Sequence, residues 1–368
     1  MLVNLDSDQL WINDDVIINM CKYMDDMTKI YLLSVNRHVN LIKNKILYDG
    51  NVCITKIQDL WYLDQITSVH ITKYFKPLVH KFPKNTVQIV YDNKYVCPYL
   101  KHVVPPCTMH LTFGDNFNQP VKNMIPEYIC HLTFGNLFNI PIDKCIPSNI
   151  TRLTFGNLFN QNINNNNCIP PNVTHLTFGK KFNQSIDKCI LSNVTHLTFG
   201  KEFNQCIINS SLSNVTHLIF GKNFCQFIDE TKFPNVTHIT FGDYYIQHLR
   251  RHDLPMNVTH LTLGFINEYM KYYISRSVTH LTFGQYFNQS IENCIPLSVT
   301  HLTFGDHFNQ PIKNCIPHSV KYLVFGKCFN QPIKNCIPYS VKYLVFGESF
   351  NQPKDDVPSS VIYVEFNN

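Results

Sequence analysis

The sequence predicts a mainly β protein: a solenoid of about thirteen short parallel strands, preceded by a small unit of three helices. Two observations carry this prediction. Twelve of the 13 glycines recur at intervals of 20 to 23 residues, and the same short run of alternating apolar and polar residues precedes each one. Such a period indicates one supersecondary unit that stacks on copies of itself, because it cannot bury its own apolar face alone. The twelve glycines are Gly114, Gly135, Gly156, Gly179, Gly200, Gly221, Gly242, Gly264, Gly284, Gly305, Gly326 and Gly347.

Each repeat begins with a short strand, for which residues 173–178 serve as the example. Val173, Leu176 and Phe178 are β-branched, apolar or aromatic, which favours a strand over a helix. Because side chains alternate along a strand, Leu176 and Phe178 point inward while His175 and Thr177 emerge on the opposite, exposed face. The glycine that follows ends the strand at a tight turn where a Cβ is not tolerated.

The second half of each repeat returns the chain across the core. Phe182, Ile186 and Ile190 supply its apolar side chains, and a proline blocks ladder bonding at the next bend in most copies. No helical period is present, so we expect an irregular or 3₁₀-like segment rather than an α-helix. The asparagine after the return phenylalanine, such as Asn183, is expected to bond backbone groups between coils.

The array extends beyond the glycines at both ends. Residues around Val69 and Ile89 match the strand pattern in degenerate form, and we assign residues 49–107 to a connector that caps the solenoid of residues 108–368. Val361, Val364 and Phe366 form a last strand. A terminal strand exposes an unpaired edge, so self-association through this edge is one expected interaction.

A column of aromatic side chains is predicted on the exposed face, because most repeats place histidine at the same strand position. The members proposed to bind a target are His175, His196, His217, His238, His260, His280, His301, Tyr322 and Tyr343. His110 and His131 occupy the same position, as does Arg152. Two protonated imidazoles about 4.8 Å apart would repel, so most of the column is expected to be neutral near pH 7. A straight ladder does not converge its nitrogens, so no metal site is predicted.

The remaining chemistry-bearing residues follow packing rather than catalysis. Six cysteines share one repeat position with Met124, which indicates buried apolar side chains. They are Cys145, Cys168, Cys189, Cys294, Cys315 and Cys336. No nucleophile with its base, paired carboxylates or phosphate-binding loop interrupts the repeat, so we expect neither an enzyme nor a cofactor.

Composition excludes two further classes of partner. Charged residues make up 15% of the 368 residues, and the net charge is only +5, which does not indicate a nucleic-acid or membrane surface. No basic segment precedes an apolar stretch at the start, and no apolar run approaches the roughly 20 residues of a membrane helix. We therefore expect a protein of the cytoplasm, or else of the nucleus.

One stretch departs from the repeat between Gly242 and Gly284. Aromatic and basic residues replace the usual return segments there: Tyr244, Tyr245, Arg250, Arg251, Tyr272 and Tyr273. Tyr and Arg are enriched at binding hot spots, which favours a patch that binds a partner. Decay of the repeat without a function is the alternative explanation, and the sequence leaves both open.

Residues 10–48 have a helical pattern of different character. Asn13 or Asp14 caps a first helix, whose apolar stripe includes Val16 and Met20. Asp25 and Asp26 end that helix, Thr28 is expected to cap a second, and Asn36 a third. Three short helices bury little area alone, so this unit requires a partner surface or the flank of the solenoid.

These patterns resemble known families. The strand spacing is similar to leucine-rich repeats, and Phe138-Asn139-Ile140-Pro141, with its relatives such as Phe308-Asn309-Gln310-Pro311, resembles the FNIP repeat. Residues 12–17, 23–25 and 32–37 resemble an F-box, which docks into a Skp-type adaptor of a cullin ubiquitin ligase. The resemblance assigns adaptor contact to Ile12, Val16, Ile17, Leu32, Leu33 and Val35.

F-box and FNIP repeat-containing proteins occur in social amoebae and in giant viruses that infect amoebae, where the compartment would be the host cytoplasm. The combination implies a substrate-recognition subunit of an SCF-type ubiquitin ligase, whose exposed sheet binds a target protein that the sequence does not identify. The alternative is a protein-binding scaffold outside any ligase, in which the helices only cap the first coil.

Overall fold

The computed structural model describes residues 14–34, 40–72, 81–92, 100–164, 168–189, 191–207, 210, 212–242, 254–264 and 274–367. The chain divides into two compact units, Met1–Ile150 and Thr151–Asn368. Each unit is an array of short parallel strands joined by irregular segments, which confirms the predicted mainly β solenoid. The domain boundaries expected at residues 48 and 107 both fall inside the first unit.

Two helices open the described part of the first unit: α1 over Asp14–Cys21 and α2 over Asp26–Leu32. The prediction that Thr28 caps the second helix is wrong. Asp25 is the cap, because its extended backbone lets the carboxylate accept the backbone N–H of Thr28 at 2.9 Å and the Thr28 hydroxyl at 2.8 Å. The third predicted helix begins at Asn36, outside the described residues, and a 3₁₀ turn follows over Ile42–Lys45.

A buried lysine ties α2 to the segment that follows the helices. Lys29 is only 4% exposed, and its ammonium donates to the carboxylates of Asp26 at 2.8 Å and Asp49 at 3.2 Å and to the carbonyl of Leu47 at 3.2 Å. Burial opposes the charge, but the hydrogen bonds to Asp26 and Asp49 outweigh it and raise the pKa of Lys29. Asp26 also accepts the backbone N–H of Gly50 at 2.6 Å, so one charged cluster fixes the helix against the chain.

Five parallel strands follow in the first unit, each paired with its sequence neighbour. They are β1 over Val52–Cys53, β2 over Ser68–Ile71, β3 over Gln88–Tyr91, β4 over His110–Phe113 and β5 over His131–Thr133. A short helix, α3 over Leu100–Val103, precedes β4. The degenerate copies predicted at Val69 and Ile89 are confirmed as β2 and β3, and β1 is an additional strand that the sequence pattern did not indicate.

Eleven parallel strands form the second unit. They are β6 over Arg152–Thr154, β7 over His175–Thr177, β8 over His196–Thr198, β9 over His217–Ile219, β10 over His238–Thr240, β11 over His260–Leu263, β12 over His280–Phe283, β13 over His301–Thr303, β14 over Tyr322–Val324, β15 over Tyr343–Phe346 and β16 over Tyr363–Phe366. Each pairs in register with the next, so equivalent repeat positions face one another. In the described return segments of this unit the only helical elements are the 3₁₀ turns Glu230–Lys232 and Lys354–Asp356.

Two rows of phenylalanine fill the core of the second unit. Within one coil, Phe199, which directly follows β8, stacks on the return residue Phe203 with ring centroids 3.8 Å apart. Between coils, Phe203 lies 6.1 Å from Phe182 and 6.1 Å from Phe224, and all three rings are completely buried. Apolar burial of this kind is the main stabilising contribution to a repeat array.

The recurrent glycine is required by close contact between coils. No described glycine has a positive φ, so backbone conformation is not the reason for it. A Cβ added to Gly200 would instead overlap the carbonyl group of Gly179 in the preceding coil. The expectation that a Cβ is not tolerated at this turn is therefore confirmed, and its cause is stacking.

The asparagine row bonds the backbone between coils, as expected. The side-chain oxygen of Asn183 accepts the backbone N–H of Asn204 at 2.9 Å and the amide of Gln205 at 3.0 Å. The same side-chain-to-backbone bond joins Asn118 to Asn139, Asn160 to Asn183, Asn204 to Cys225, Asn288 to Asn309, Asn309 to Asn330 and Asn330 to Asn351. No helix in the described part of the chain has the length and apolar character to span a bilayer.

Candidate functional site

The exposed face of the second unit carries the predicted aromatic column. Seven consecutive strands, β7 to β13, begin with a histidine that follows a threonine, and the registers pair each histidine with the next. We define the Thr-His column as these seven pairs: Thr174-His175, Thr195-His196, Thr216-His217, Thr237-His238, Thr259-His260, Thr279-His280 and Thr300-His301. All fourteen side chains are half-buried, while the strand residue after each histidine is buried in the core.

The imidazole rings of the column stack almost parallel. Ring centroids of neighbouring histidines are 4.0 to 4.2 Å apart, and the planes are inclined by 10 to 15°. Tyr322 continues the stack at 4.2 Å from His301, and Tyr343 follows at 4.5 Å from Tyr322. Because the ring faces cover one another, the edges of the rings are the parts that a partner can contact.

Each threonine of the column holds its histidine in place. In all seven pairs, the threonine Oγ1 lies 2.9 Å from Nδ1 of the histidine that follows. The same hydroxyl donates to a threonine carbonyl of the preceding coil at 3.1 to 3.3 Å. The sequence analysis did not predict this role of threonine, although the recurrence of the Thr-His dipeptide indicates it.

The first unit shows the arrangement without threonine. Met109 and Cys130 precede His110 and His131, so neither histidine follows a threonine. Their rings meet edge to face at 78°, with the two Nδ1 atoms 2.9 Å apart. The parallel stack therefore accompanies the threonines and is not a property of histidines on neighbouring strands alone.

The surroundings of five histidines in the column oppose their protonation. Burial, together with the nearby imidazoles of which His260 has the largest effect, lowers the pKa of His238 to about 4. Burial is also the main cause that lowers the pKa of His196, His260, His280 and His301. These shifts support the expectation of a neutral column.

Few charges accompany the column on the strands. Arg152 occupies the histidine position on β6, and Lys321 and Lys342 occupy the threonine position before β14 and β15. Strands β6 to β15 contain no aspartate or glutamate. The face is thus uncharged along its centre and bordered by cations, and no group of three metal-binding side chains occurs among the described residues.

The four described residues that are predicted to contact an adaptor differ in exposure. Val16 is 49% exposed and Leu32 is half-buried, but Ile17 and Leu33 are 3% and 0% exposed. Ile17 and Leu33 therefore belong to the core of the first unit, and adaptor contact by the predicted residues stays a prediction. Ile12 and Val35 lie outside the described residues.

A different set of apolar side chains is exposed on these helices and on the turn between them. We call it the α1-α2 surface: Val16, Met20, Tyr23, Met27 and Tyr31, with exposures of 49%, 43%, 92%, 61% and 71%. The sequence analysis placed Val16 and Met20 on an apolar stripe but did not indicate which side of the helices faces the core. The patch formed by Tyr244, Tyr245, Arg250, Arg251, Tyr272 and Tyr273 lies outside the described residues.

Comparison with known proteins assigns the repeat. The sequence model of the FNIP Repeat family matches residues 98–137, 138–181, 182–212, 232–265, 271–301, 287–328 and 329–368, more than half of the chain. The chain belongs to the FNIP repeat family. The resemblance carried by Phe138-Asn139-Ile140-Pro141 is thereby confirmed, and no curated protein matches this FNIP repeat chain.

A solved relative supports the leucine-rich-repeat-like fold. The crystal structure of CroV588, described as a novel circular LRR protein, matches this FNIP repeat protein with a TM-score of 0.66 and 38% identity over 86% of this chain and 48% of that chain. The FNIP repeat protein thus spans about half the length of CroV588. A leucine-rich repeat protein from Bacteroides ovatus matches with a TM-score of only 0.15 and 10% identity, over 81% of this chain and 75% of that chain.

Proposed function

We propose that this FNIP repeat protein is a non-enzymatic protein-recognition module, and that the Thr-His column with Tyr322 and Tyr343 is its target-binding face. The observation that carries the proposal is the ordered stack itself: seven imidazole edges and two tyrosine edges at a constant spacing on an exposed sheet. Side chains fixed by hydrogen bonds lose little conformational freedom on binding, which favours affinity. Tyrosine is also enriched at the energetic centres of protein interfaces.

The test requires a target, which proximity labelling in amoebal cells and cross-linking can supply. We expect His238→Ala with Tyr322→Ala to weaken binding of a purified target at least tenfold, since truncating central contacts costs roughly 2 kcal/mol or more. The matched control is Leu158→Ala with Phe227→Ala, two side chains that are exposed outside the strands. Equal affinity of both double variants would refute the target-binding face.

We further propose that the protein serves as the substrate-recognition subunit of an SCF-type ubiquitin ligase. The F-box resemblance of residues 10–48 motivates this function, and the exposed α1-α2 surface supports it, because large exposed apolar surfaces mark interaction sites. A partner of this surface would be a Skp-type adaptor with a complementary apolar groove.

Adaptor binding is tested with substitutions that leave the core intact. Met20→Asp with Met27→Asp places two charges on the α1-α2 surface, and we expect loss of adaptor in a pull-down. Lys22→Asp is the control, because Lys22 is an exposed residue directly after α1 whose ammonium donates to Asn19. Retention of adaptor by the double variant excludes a ligase role through this surface. Substitution of Ile17 would not serve, since it is buried.

The rival function is a scaffold in which the helices only cap the first unit. The burial of Ile17 and Leu33 and the bonds of Lys29 to Asp26 and Asp49 favour a structural contribution of the helices. Deletion of residues 1–48 distinguishes the two functions. A truncated chain that stays folded but no longer binds the adaptor supports the ligase function. The capping function is supported if the truncated chain aggregates and if Met20→Asp with Met27→Asp does not change adaptor binding by the full chain.

A further inference from the structure

We propose that the Thr-His column is a row of fixed hydrogen-bond acceptors, and that it binds a partner segment whose exposed side chains are uncharged donors, namely Ser, Thr, Asn or Gln. The inference rests on the proposed function, because it names the chemistry of the partner for the same face. It is carried by the hydrogen-bond geometry of the seven threonines and by the charges around the column.

The tautomer of each histidine follows from the single proton of the threonine hydroxyl. Thr216 Oγ1 lies 3.1 Å from the carbonyl oxygen of Thr195 and 2.9 Å from Nδ1 of His217. A carbonyl oxygen only accepts, and that of Thr195 also accepts the backbone N–H groups of Thr216 at 2.8 Å and His217 at 3.0 Å. When the hydroxyl proton is directed to the same carbonyl, Nδ1 of His217 donates its own proton to Oγ1. Both contacts are satisfied only by the tautomer with the proton on Nδ1.

A neutral imidazole carries one N–H proton, so Nε2 is left with a lone pair. Because the same two contacts recur at all seven pairs, seven Nε2 acceptors follow one another at the spacing of the strands. Nε2 is not bonded to Cγ, so it lies farther from Cβ than Nδ1 does. The threonines are positioning residues, and the imidazole edges are the groups that a partner contacts.

The first unit shows what the threonines add. His110 and His131 bring their Nδ1 atoms within 2.9 Å of each other, so one Nδ1 donates while the other accepts. The two rings must therefore hold opposite tautomers, and one Nε2 carries a proton. Without the threonines, neighbouring histidines do not offer a uniform row of acceptors.

The surroundings of the column select the charge of the partner. An anionic segment would bring its oxygens against the Nε2 lone pairs. A cationic segment would meet Arg152 at one end of the column and Lys321 and Lys342 at the other, with no carboxylate on strands β6 to β15 to compensate. The groups that face the column from its own and neighbouring strands are these three cations, the other imidazoles and uncharged side chains. An uncharged donor avoids both repulsions.

The tautomer is tested by NMR on protein with ¹⁵N-labelled histidine. The chemical shifts of the two ring nitrogens distinguish the tautomers, and we expect protonated Nδ1 for the column at about pH 7.5. Thr216→Val removes the acceptor and should release His217 from this tautomer, while Thr216→Ser retains the hydroxyl and should preserve it. A proton on Nε2 in the wild-type column overturns the inference, even if the face binds its target.

The partner class is tested with three peptides in which glycine alternates with threonine, glutamate or lysine. We expect the threonine peptide to shift the column Nε2 signals at about pH 7.5, with little effect of salt, and to lose binding as acid protonates Nε2 and turns the acceptor into a donor. Shifts caused only by the glutamate or lysine peptide, or by none of them, overturn the inference. The proposed target-binding function has its own test: it is refuted if the His238→Ala with Tyr322→Ala variant binds its target normally.

Discussion

His238 and His260 stack face to face, with ring centroids 4.0 Å apart and planes inclined by 13°. Burial in the stack opposes the charged form of both rings, and a charge on one ring further opposes a charge on a neighbouring ring. Its histidines have pKa values below the ordinary value of about 6.5, and that of His238 is about 4.

Stability should therefore fall in acid. The unfolded chain, with histidine pKa values of about 6.5, binds protons before the folded chain does. The contribution of the column is present in full above about pH 6.5 and is lost as the pH falls toward the folded pKa values. We expect the thermal midpoint to drop over this interval. His238→Gln should reduce the drop, and His307→Gln, outside the column, should not. A wild-type midpoint that is constant over this range would contradict the mechanism.

Truncation of a core phenylalanine should be severe. Phe203 is completely buried between Phe182, Phe199 and Phe224, so Phe203→Ala removes contacts in three directions and leaves a cavity. We expect a loss of about 3–5 kcal/mol in the free energy of unfolding, measured by urea denaturation followed by circular dichroism. Phe227→Ala, at a side chain that is 45% exposed, is the control and should change it by about 0.5 kcal/mol or less.

The glycine column should reject even one methyl group. A Cβ at Gly200 would overlap the carbonyl of Gly179, so the two coils must separate in Gly200→Ala. Overpacking of this kind costs roughly 1–3 kcal/mol, which calorimetry would detect as a lower melting temperature. Lys201→Ala changes the adjacent exposed residue and should leave the temperature nearly unchanged. Similar melting of both variants would show that the coils can adjust.

The asparagine row allows a test of a single oxygen atom. Asn183→Leu leaves the backbone N–H of Asn204 and the amide of Gln205 without their acceptor, which we expect to cost about 1–3 kcal/mol. Asn183→Asp retains an oxygen in the same place and should cost less. Denaturation of the two variants under the same conditions gives the difference, and a reversed order would contradict a role as acceptor.

The buried lysine of α2 can be tested within the first unit. Lys29→Met leaves the mostly buried carboxylate of Asp26 without its cation, and breaking such a pair costs roughly 3–5 kcal/mol. Both tryptophans, Trp11 and Trp61, lie in this unit, so fluorescence during denaturation reports on its unfolding. Lys22→Met, at an exposed position directly after the first helix, is the control. Equal midpoints for the two variants would exclude a stabilising role for the cluster.

The sequence predicted the coils because their period is visible in one dimension. Glycine spacing and the alternation around Leu176 and Phe178 located the strands from β4 onward, and the patterns near Val69 and Ile89 located two more. The two-residue strand Val52–Cys53 escaped prediction because it has neither a glycine nor enough length to show alternation.

The local helical details and the site were harder to predict. Both Asp25 and Thr28 are good cap residues, and only the backbone conformation decides between them. Short helices with apolar residues on several sides do not reveal which side is buried, so Ile17 and Leu33 could not be separated from Val16. The role of Thr216 depends on a carbonyl of the preceding coil, Thr195, which is adjacent only after folding.

The register of the strands has a consequence for how such a gene can change. Neighbouring strands stay aligned although the glycine spacing varies between 20 and 23 residues, because the return segments absorb the difference. The contacts that one coil makes with the coil before it are therefore equivalent to those it makes with the coil after it. Recombination that removes or inserts a whole coil would bring matching surfaces together again. The length of the recognition face can therefore evolve one coil at a time, without changes to the apolar core between the coils.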